Sequence, residues 1–271
     1  MLERKRKLDC ANGREKADLV LKNGNVLNVF TEEVLKADVA ICGDTIVGVG
    51  EYEGKEEIDC TGKYLVPGFI DAHMHIESCM AAPGELAKVL AKAGTTTIIA
   101  DPHEIVNVSG TKGMDYFLKC AAKLLVNVFF MVPSAVPATD VETNGCGEFL
   151  ASDMMKYVDN ARVLGLGETM RFMECCEGEK RMADKLELFA KKHIDGHAPG
   201  IRGKEVQALS PIYLIQAGQL FEKLGKNRCC SMFQMCQTCF LKSFSASLCE
   251  NLFQLQTILL AVCCNLLDTS V

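Results

Sequence analysis

Two hydrophobic patterns divide the chain near residue 65. Over residues 18–60, apolar and polar residues alternate in short stretches such as "ADLVLKNGNVLNVF" and "KADVAICGDTIVGVG", and Asn-Gly and Gly-Asp pairs interrupt them. Alternation at every second residue is typical of half-buried strands, and these dipeptides are typical of tight turns. The pattern therefore predicts short strands joined by hairpins, so that residues 1–64 form a small N-terminal β module.

Beyond this point, strand-like and helix-like stretches alternate. Nearly continuous apolar runs, typical of parallel strands buried on both faces, occur at residues 64–75, 95–104, 125–137, 161–168 and 193–200. Apolar residues at three- and four-residue intervals predict helices over residues 83–94, 111–123, 150–158 and 181–193. Such units are typical both of a (β/α)8 barrel and of a doubly wound sheet, so the pattern alone predicts only an α/β fold.

Residues that can bind metal stand at the ends of the predicted strands. They are His73, His75, His103, Glu168 and His197. A barrel gathers the ends of all its strands around one mouth, so this placement favours the barrel over an open sheet. His73 and His75 point the same way because side chains alternate along a strand, and two such imidazoles suit a divalent first-row metal. The alternative is a pair of structural histidines satisfied by hydrogen bonds.

Composition narrows the classes of function. The 271 residues are 49% hydrophobic and 24% charged, as in an ordinary globular protein, and the net charge of −6 gives no support to nucleic-acid binding. No signal peptide and no membrane-spanning apolar stretch stand out, so we expect no membrane partner and a cytoplasmic location. Seven of the fifteen cysteines crowd between Cys229 and Cys264, and free thiols are predicted rather than disulfides or a zinc site.

Several motifs resemble those of one known family. "PGFIDAHMHIES" resembles the first-strand metal motif of the amidohydrolase superfamily. "TTTIIADPHEIVNVSG", "VPSAVPATDVETNG", "GLGETM" and "DGHAPG" resemble successive blocks of the bacterial adenine deaminases, and together the motifs cover residues 17–209. The family fold is a metal-dependent (β/α)8 barrel beside a small β-sandwich. The resemblance implies that residues 65–209 form an incomplete TIM-type barrel of about five βα units, and that the N-terminal β module belongs to the sandwich.

The resemblance implies a metal-binding role for four residues. His73 and His75 would bind the first ion, and His197 would be the fifth-strand ligand. Glu168 would be the fourth-strand carboxylate that holds the pair of ions, and it is also a candidate catalytic residue. The metals expected are manganese or iron, two ions in the family, with zinc as an alternative.

Three further residues would lie at the mouth of the barrel. His103 is a second candidate catalytic residue, and Glu104 and Glu142 are candidate substrate-binding residues. For His103 and Glu104, an accessory-metal role and a plain loop role stay open. Glu142 is equally well explained as a solvated loop carboxylate.

The chemistry implied by the resemblance is hydrolytic deamination. Water bound to the metal loses its proton near neutral pH, and the resulting hydroxide would attack C6 of adenine. A positioned acid or base would protonate the leaving amine. Adenine, the expected partner, and water would give hypoxanthine and ammonia in purine salvage. A homo-oligomer is compatible with this function.

The resemblance ends at "DGHAPGIRGKEVQAL". A family member would continue to a ligand histidine on a sixth strand and to a proton-shuttling aspartate on an eighth. Here no histidine follows His197, and the only aspartate after Asp195 is Asp268. From residue 226 onward there is neither Gly nor Pro. We therefore expect residues 210–271 to be a cysteine-rich aberrant tail from a shifted or mis-spliced reading frame, and deaminase activity to be impaired or absent.

Three alternatives stay open. The tail could be a genuine cysteine-rich helical segment that packs against a partner. The chain could be another amidohydrolase that acts on a cyclic amide or a different heterocycle, which the His-x-His motif alone would allow. It could also be an inactive fragment that only binds metal or pairs with an intact homologue.

Overall fold

The computed structural model describes residues 2–198, 203–209, 214–215 and 261–263. They belong to two compact units. The first comprises Met1–Phe69, Leu90–Thr96 and Phe244–Val271, and the second comprises Ile70–Val89 and Thr97–Ser243. The tail predicted at residues 210–271 lies outside the described residues, apart from two short strands.

The first unit is built on a mainly antiparallel sheet. Its elements are α1 Leu2–Ala11, β1 Ala17–Asn28, β2 Glu33–Cys42, β3 Thr45–Gly50, β4 Gly54–Asp59 and β5 Tyr64–Val66. β1 pairs with β2 and β2 with β3 in antiparallel fashion, while β4 and β5 run parallel to β1. Apolar side chains form a core on this sheet: Leu21, Val26, Val39, Cys60 and Leu65.

The two turn dipeptides of this sheet behave differently. Gly43 and Asp44 form the predicted hairpin between β2 and β3. The hairpin predicted at Asn23-Gly24 is wrong, because both residues lie inside β1, where the register with β2 shifts. Asn23 has φ 60°, and its N–H donates to the Asp38 carboxylate at 2.9 Å. Asn tolerates this left-handed conformation, so the dipeptide forms a bulge instead of a turn.

The rest of the chain alternates strands and helices. The strands are β6 Phe69–Met74, β7 Thr95–Ala100, β8 Asn127–Pro133, β9 Val163–Gly167, β10 His193–Gly196 and β11 Leu214–Ile215. The helices are α2 Pro83–Lys92, α3 His103–Ser109, α4 Thr111–Ala121, α5 Ala151–Met154, α6 Phe172–Glu177, α7 Lys180–Leu188 and α8 Lys204–Leu209, with 3-10 turns at Glu77–Cys79 and Met155–Tyr157. A last strand, β12 Ala261–Cys263, pairs antiparallel with β5 in the first unit. No helix among these residues is long and apolar enough to cross a bilayer.

The order of the strands decides between the two α/β folds. β6 to β11 lie side by side in chain order, and the pairs from β7 to β11 are parallel. A doubly wound sheet reverses its strand order at a switch point, whereas a (β/α)8 barrel adds each strand beside the one before. The predicted incomplete barrel is thereby confirmed.

The middle strands of this sheet are buried on both faces. β8 and β9 consist almost entirely of buried residues, such as Phe130 and Leu166, which have no exposed surface. This burial accounts for their continuous apolar sequence. β9 also runs very close to β10, because a methyl group at Gly165 would overlap the backbone of His193.

Some boundaries differ from the predicted ones. The first predicted strand is two strands, β5 and β6, which Pro67 and Gly68 separate. β7 ends at Ala100, so His103 begins a helix instead of continuing a strand. The hydrophobic pattern did not predict α3 or α6, because six or seven residues are too few to show a helical period.

Candidate metal centre

Five sequence-predicted residues lie where the strands of the second unit end. His73 is in β6 and His75 follows it, His103 begins the helix after β7, and Glu168 and His197 come directly after β9 and β10. The carboxyl ends of neighbouring parallel strands meet at one edge of a barrel. The fold therefore brings together residues that are far apart in the chain.

Glu168 lies at the centre of the four histidines. Its Oε1 atom is 2.8 Å from His73 Nε2, 2.8 Å from His197 Nε2 and 3.4 Å from His75 Nε2. Its Oε2 atom is 3.0 Å from His103 Nδ1. The side chain is only 5% exposed, so a single buried carboxylate joins all four imidazoles.

The backbone of Glu168 is strained in a way that aims its side chain. Its φ is 41°, a left-handed value that few residues other than glycine adopt. Its N–H donates to Asp195 Oδ1 at 2.9 Å, and its carbonyl accepts a hydrogen bond from Ser134 Oγ at 3.1 Å. Strain of this kind persists where surrounding contacts enforce it. Asp195 supplies such a contact to the N–H of Glu168, and Ser134 supplies one to its carbonyl group.

His75 is oriented by the backbone. Its Nδ1 atom is 2.9 Å from the carbonyl oxygen of Asp101, and a carbonyl can only accept a hydrogen bond. Nδ1 therefore carries the proton, and Nε2 keeps its lone pair. That Nε2 lies 3.2 Å from His73 Nε2. A backbone carbonyl that fixes the tautomer of a histidine is a common support for metal ligands.

The acidic and basic groups of the cluster shift one another's pKa values. Burial raises the pKa of the Glu168 carboxyl, but the four surrounding imidazoles outweigh it and hold this pKa far below its ordinary range. Glu104 and Glu168 raise the pKa of His75 to about 11. Burial lowers the pKa of His103, yet Asp101 and Glu168 raise it to about 10.

The donor atoms fit a divalent metal ion. Two ligands of one ion, each at about 2.0–2.2 Å from it, lie about 3–3.5 Å apart. The distances among His73, His75 and Glu168 fall in or near this range, and these three residues form a group that could hold a metal. Imidazole nitrogen and carboxylate oxygen together suit manganese, iron or zinc.

Glu104 lies at the edge of the cluster, whereas Glu142 supports a loop. Glu104 Oε1 accepts a hydrogen bond from Ser78 at 2.9 Å, and its Oε2 atom is 3.5 Å from His75 Nδ1. The carboxylate oxygens of Glu142 accept hydrogen bonds from the Ala138 N–H at 2.5 Å and from Asn107 at 3.3 Å. These contacts tie the loop after β8 to α3, and a role of Glu142 in the purine pocket stays a prediction.

Sequence reasoning missed Asp101. This residue follows β7 directly, as Glu168 follows β9, and its side chain is completely buried. Neither of its carboxylate oxygens has a hydrogen-bond partner among the described residues. Burial raises the pKa of the Asp101 carboxyl to about 6. Its position after an apolar strand, two residues before His103, was the available signal.

Comparison with known proteins identifies the family. The model of the amidohydrolase family matches residues 64–227. The chain belongs to the amidohydrolase family. The part of the chain similar to adenine deaminases is N-terminal, as the motifs predict: an adenine deaminase of Desulfitobacterium hafniense is 54% identical over 196 residues, and one of Clostridium acetobutylicum is 48% identical over 204 residues.

The extent of these matches is partial. They cover 72% and 74% of this chain but only 34% and 36% of the two relatives, so the chain spans about a third of their length. Among solved structures, the N-acyl-D-glutamate deacylase of Bordetella bronchiseptica, complexed with zinc, has a TM-score of 0.50 at 18% identity. That alignment covers 73% of this chain and 49% of the deacylase and shows the fold alone.

Proposed function

We propose that the chain has the activity of an adenine deaminase, in which adenine and water give hypoxanthine and ammonia. The observation that carries this proposal is the set of four histidines around Glu168, with donor distances of 2.8 to 3.4 Å. The adenine deaminases with 54% and 48% identity support adenine as the substrate.

The residues of the centre would have different roles in such a reaction. His73, His75, His197 and Glu168 would hold a divalent ion, manganese or iron by preference and zinc as an alternative. When bound, this ion would supply Lewis-acid activation of the attacking water. Glu168 stays ionised because the pKa of its carboxyl is far below the ordinary range. It is therefore a poor donor of the proton that the leaving amine needs.

The proton-shuttling aspartate that the resemblance places on an eighth strand has no matching residue in this sequence. No histidine follows His197, and Asp268 is the only aspartate after Asp195. A missing general acid typically lowers rates by about 10²–10⁴-fold. We therefore expect slow deamination by this chain.

We also propose a cellular location and a domain organisation for the chain. The eight cysteines between Cys10 and Cys176 are all free, which supports a reducing, cytoplasmic location, where adenine deamination would serve purine salvage. We keep residues 1–64 as a β module, 65–209 as the barrel and 210–271 as an aberrant tail. Homo-oligomer formation remains compatible with this arrangement.

A substrate panel tests the function. The purified chain is stripped of metal, loaded with Mn(II) and given adenine, guanine, cytosine or dihydroorotate, and substrate loss and ammonia release are both followed. We expect slow loss of adenine alone, abolished in His73→Ala and kept in Glu85→Gln, whose side chain is 68% exposed on α2. Loss of another substrate would favour a different amidohydrolase. No adenine loss from a folded, metal-loaded chain would contradict the proposal.

A further inference from the structure

We propose that Asp101, His103 and the Oε2 atom of Glu168 form a second cation position, with Glu104 at its edge. This inference rests on the metal-dependent function proposed above and deepens it. The resemblance to the family leads one to expect the further ligands on a fifth strand, where His197 lies, and on a sixth strand. The proposed position is instead formed by Asp101 and His103, which follow β7, together with Glu168.

Unsatisfied buried polar atoms are concentrated at this position. The described residues contain five buried side-chain nitrogen or oxygen atoms without a hydrogen-bond partner, and four of the five belong to residues 101–104. They are Asp101 Oδ1 and Oδ2, His103 Nδ1, Glu104 Oε2 and Glu77 Oε2. Buried polar groups are nearly always satisfied. A cation would satisfy several of these acceptors at once.

The distances between His103 and the neighbouring carboxylates also suit a cation. Its Nδ1 atom is 3.0 Å from Glu168 Oε2, 3.6 Å from Asp101 Oδ1 and 3.8 Å from Glu104 Oε2. Asp101, His103 and Glu168 form a group whose donor atoms all lie within 4.8 Å of one another. These spacings are slightly wider than those of bound ligands, about 3–3.5 Å, so small side-chain rotations would close them.

Glu168 offers a different carboxylate oxygen to each of the two cation positions. Oε1 faces His73 and His197, at 2.8 Å from each, and Oε2 faces His103. A carboxylate has two oxygens that can bind two ions. The same buried residue can therefore bridge the first ion and a second one without moving.

Asp101 contributes to both cation positions. Its carbonyl oxygen accepts the Nδ1 proton of His75 at 2.9 Å, which commits His75 to the first ion through Nε2. Its carboxylate extends beside Gly167, where any added side chain would overlap it and come within 2.6 Å of Met131 Cβ. Glycine at this position leaves room for the carboxylate to reach the second position.

Protonation of His103 is the alternative to a second metal ion. A protonated His103 could pair with Asp101 and Glu168 and satisfy part of the cluster without any metal. In that case His103 would be free to act in proton transfer, whereas the second cation makes it a ligand. Counting the bound ions separates the two explanations.

The experiment counts manganese ions in the full chain. Mn(II) is chosen because thiolates bind it poorly, so the cysteines contribute little. The metal-free protein is loaded with Mn(II) and desalted. Mass spectrometry then measures the number of ions per chain. Electron paramagnetic resonance shows whether two bound ions are magnetically coupled. The wild type is compared with Asp101→Asn and His103→Asn, with Glu85→Gln as the matched control, and thermal melting verifies that each variant folds.

We expect two coupled ions in the wild type and in Glu85→Gln. We expect one uncoupled ion in Asp101→Asn and in His103→Asn, with at least tenfold weaker binding of the second ion. His103 begins its helix and is 22% exposed, so His103→Asn preserves the test if Asp101→Asn fails to fold.

Two coupled ions in both variants, or one ion in the wild type as well, would overturn the inference. In either case the proposed function would stand if adenine were still consumed. Two ions in the wild type and one in the variants, without any adenine loss, would support the second position and contradict the function. A wild type that binds no ion would contradict both.

Discussion

Single residues set the geometry of the centre through their backbones as much as through their side chains. Glu168 has φ 41°, and two hydrogen bonds, from its N–H to Asp195 and to its carbonyl from Ser134, hold it there. Asp195 also accepts hydrogen bonds at its own carbonyl from the N–H and the hydroxyl of Thr169, at 3.1 Å and 2.5 Å. Asp195 is thus a positioning residue for Glu168.

Removing this support should weaken metal binding without touching a ligand. We expect Asp195→Ala to lower the affinity for Mn(II) by about 10–100-fold, the usual effect of losing a group that orients a ligand. Asp195→Asn should keep most of the affinity, because its side-chain carbonyl can still accept the Glu168 N–H. The dissociation constants are measured by calorimetry. Equal losses in both variants would show that the negative charge of Asp195, and not the hydrogen bond, matters.

The sequence predicted the residues with strong local signals and missed one without such a signal. His73 and His75 stand in a short motif, and His103 and Glu168 follow apolar runs. Asp101 precedes a proline after a strand, which is an ordinary place for an aspartate in a turn. Its complete burial without a hydrogen-bond partner is what distinguishes it, and burial depends on the packed strands.

At the scale of elements, the strand ends carry the donors and the helices behind them fix the loops. Arg171, just before α6, donates from Nε to the Pro137 carbonyl at 2.8 Å and pairs with Glu174 at 2.5 Å. Arg181 of α7 donates from Nε to Glu174 at 2.7 Å. Glu174 therefore joins α6 and α7 to the loop that follows β8.

This clamp should make stability depend on pH. Arg181, followed by Arg171, lowers the pKa of the Glu174 carboxyl to about 2, below its value of about 4.3 in an unfolded chain. A carboxyl whose pKa is lower in the folded state stabilises the fold above the unfolded pKa and loses this effect as pH falls toward 2. We expect Glu174→Gln to lower the free energy of unfolding by about 2 kcal/mol at pH 7, and by less at pH 3.

Urea unfolding at the two pH values measures this difference. Glu177→Gln, exposed at the end of the same helix, is the control and should change stability little at either pH. A Glu174→Gln effect that is as large at pH 3 as at pH 7 would show that the stabilisation does not depend on ionisation of this carboxyl.

The elements themselves were predictable to different degrees. The apolar runs of β7 to β10 predicted strands because burial on both faces leaves a continuous signal. The Asn23-Gly24 pair does not predict a turn reliably, because the same dipeptide suits a bulge inside a long strand and a turn between two strands. Only the pairing of β1 with β2 distinguishes these two cases.

At the scale of the whole molecule, metal binding and folding should be linked. The donors of the centre come from four strand ends between His73 and His197, so an unfolded chain cannot present them together. A ligand that binds only the folded state stabilises it, by about 2.7 kcal/mol at a hundred times its dissociation constant. For a chain of this size, such a gain corresponds to roughly 5–10 °C in melting temperature.

Thermal melting with and without Mn(II) measures this linkage. We expect Mn(II) to raise the melting temperature of the wild type by that amount, chelator to reverse the rise, and His73→Ala to show little rise. A similar rise in His73→Ala would mean that Mn(II) stabilises the chain at some other place.

We infer above all that His73, His75, His197 and Glu168 form a metal centre at the ends of the barrel strands. Anomalous X-ray diffraction at the manganese edge, on crystals grown with Mn(II), tests it most directly because it locates the ion. We predict a peak at about 2.0–2.4 Å from His73 Nε2, His75 Nε2 and Glu168 Oε1. No peak at Glu168, or manganese bound only elsewhere in the chain, would contradict the claim.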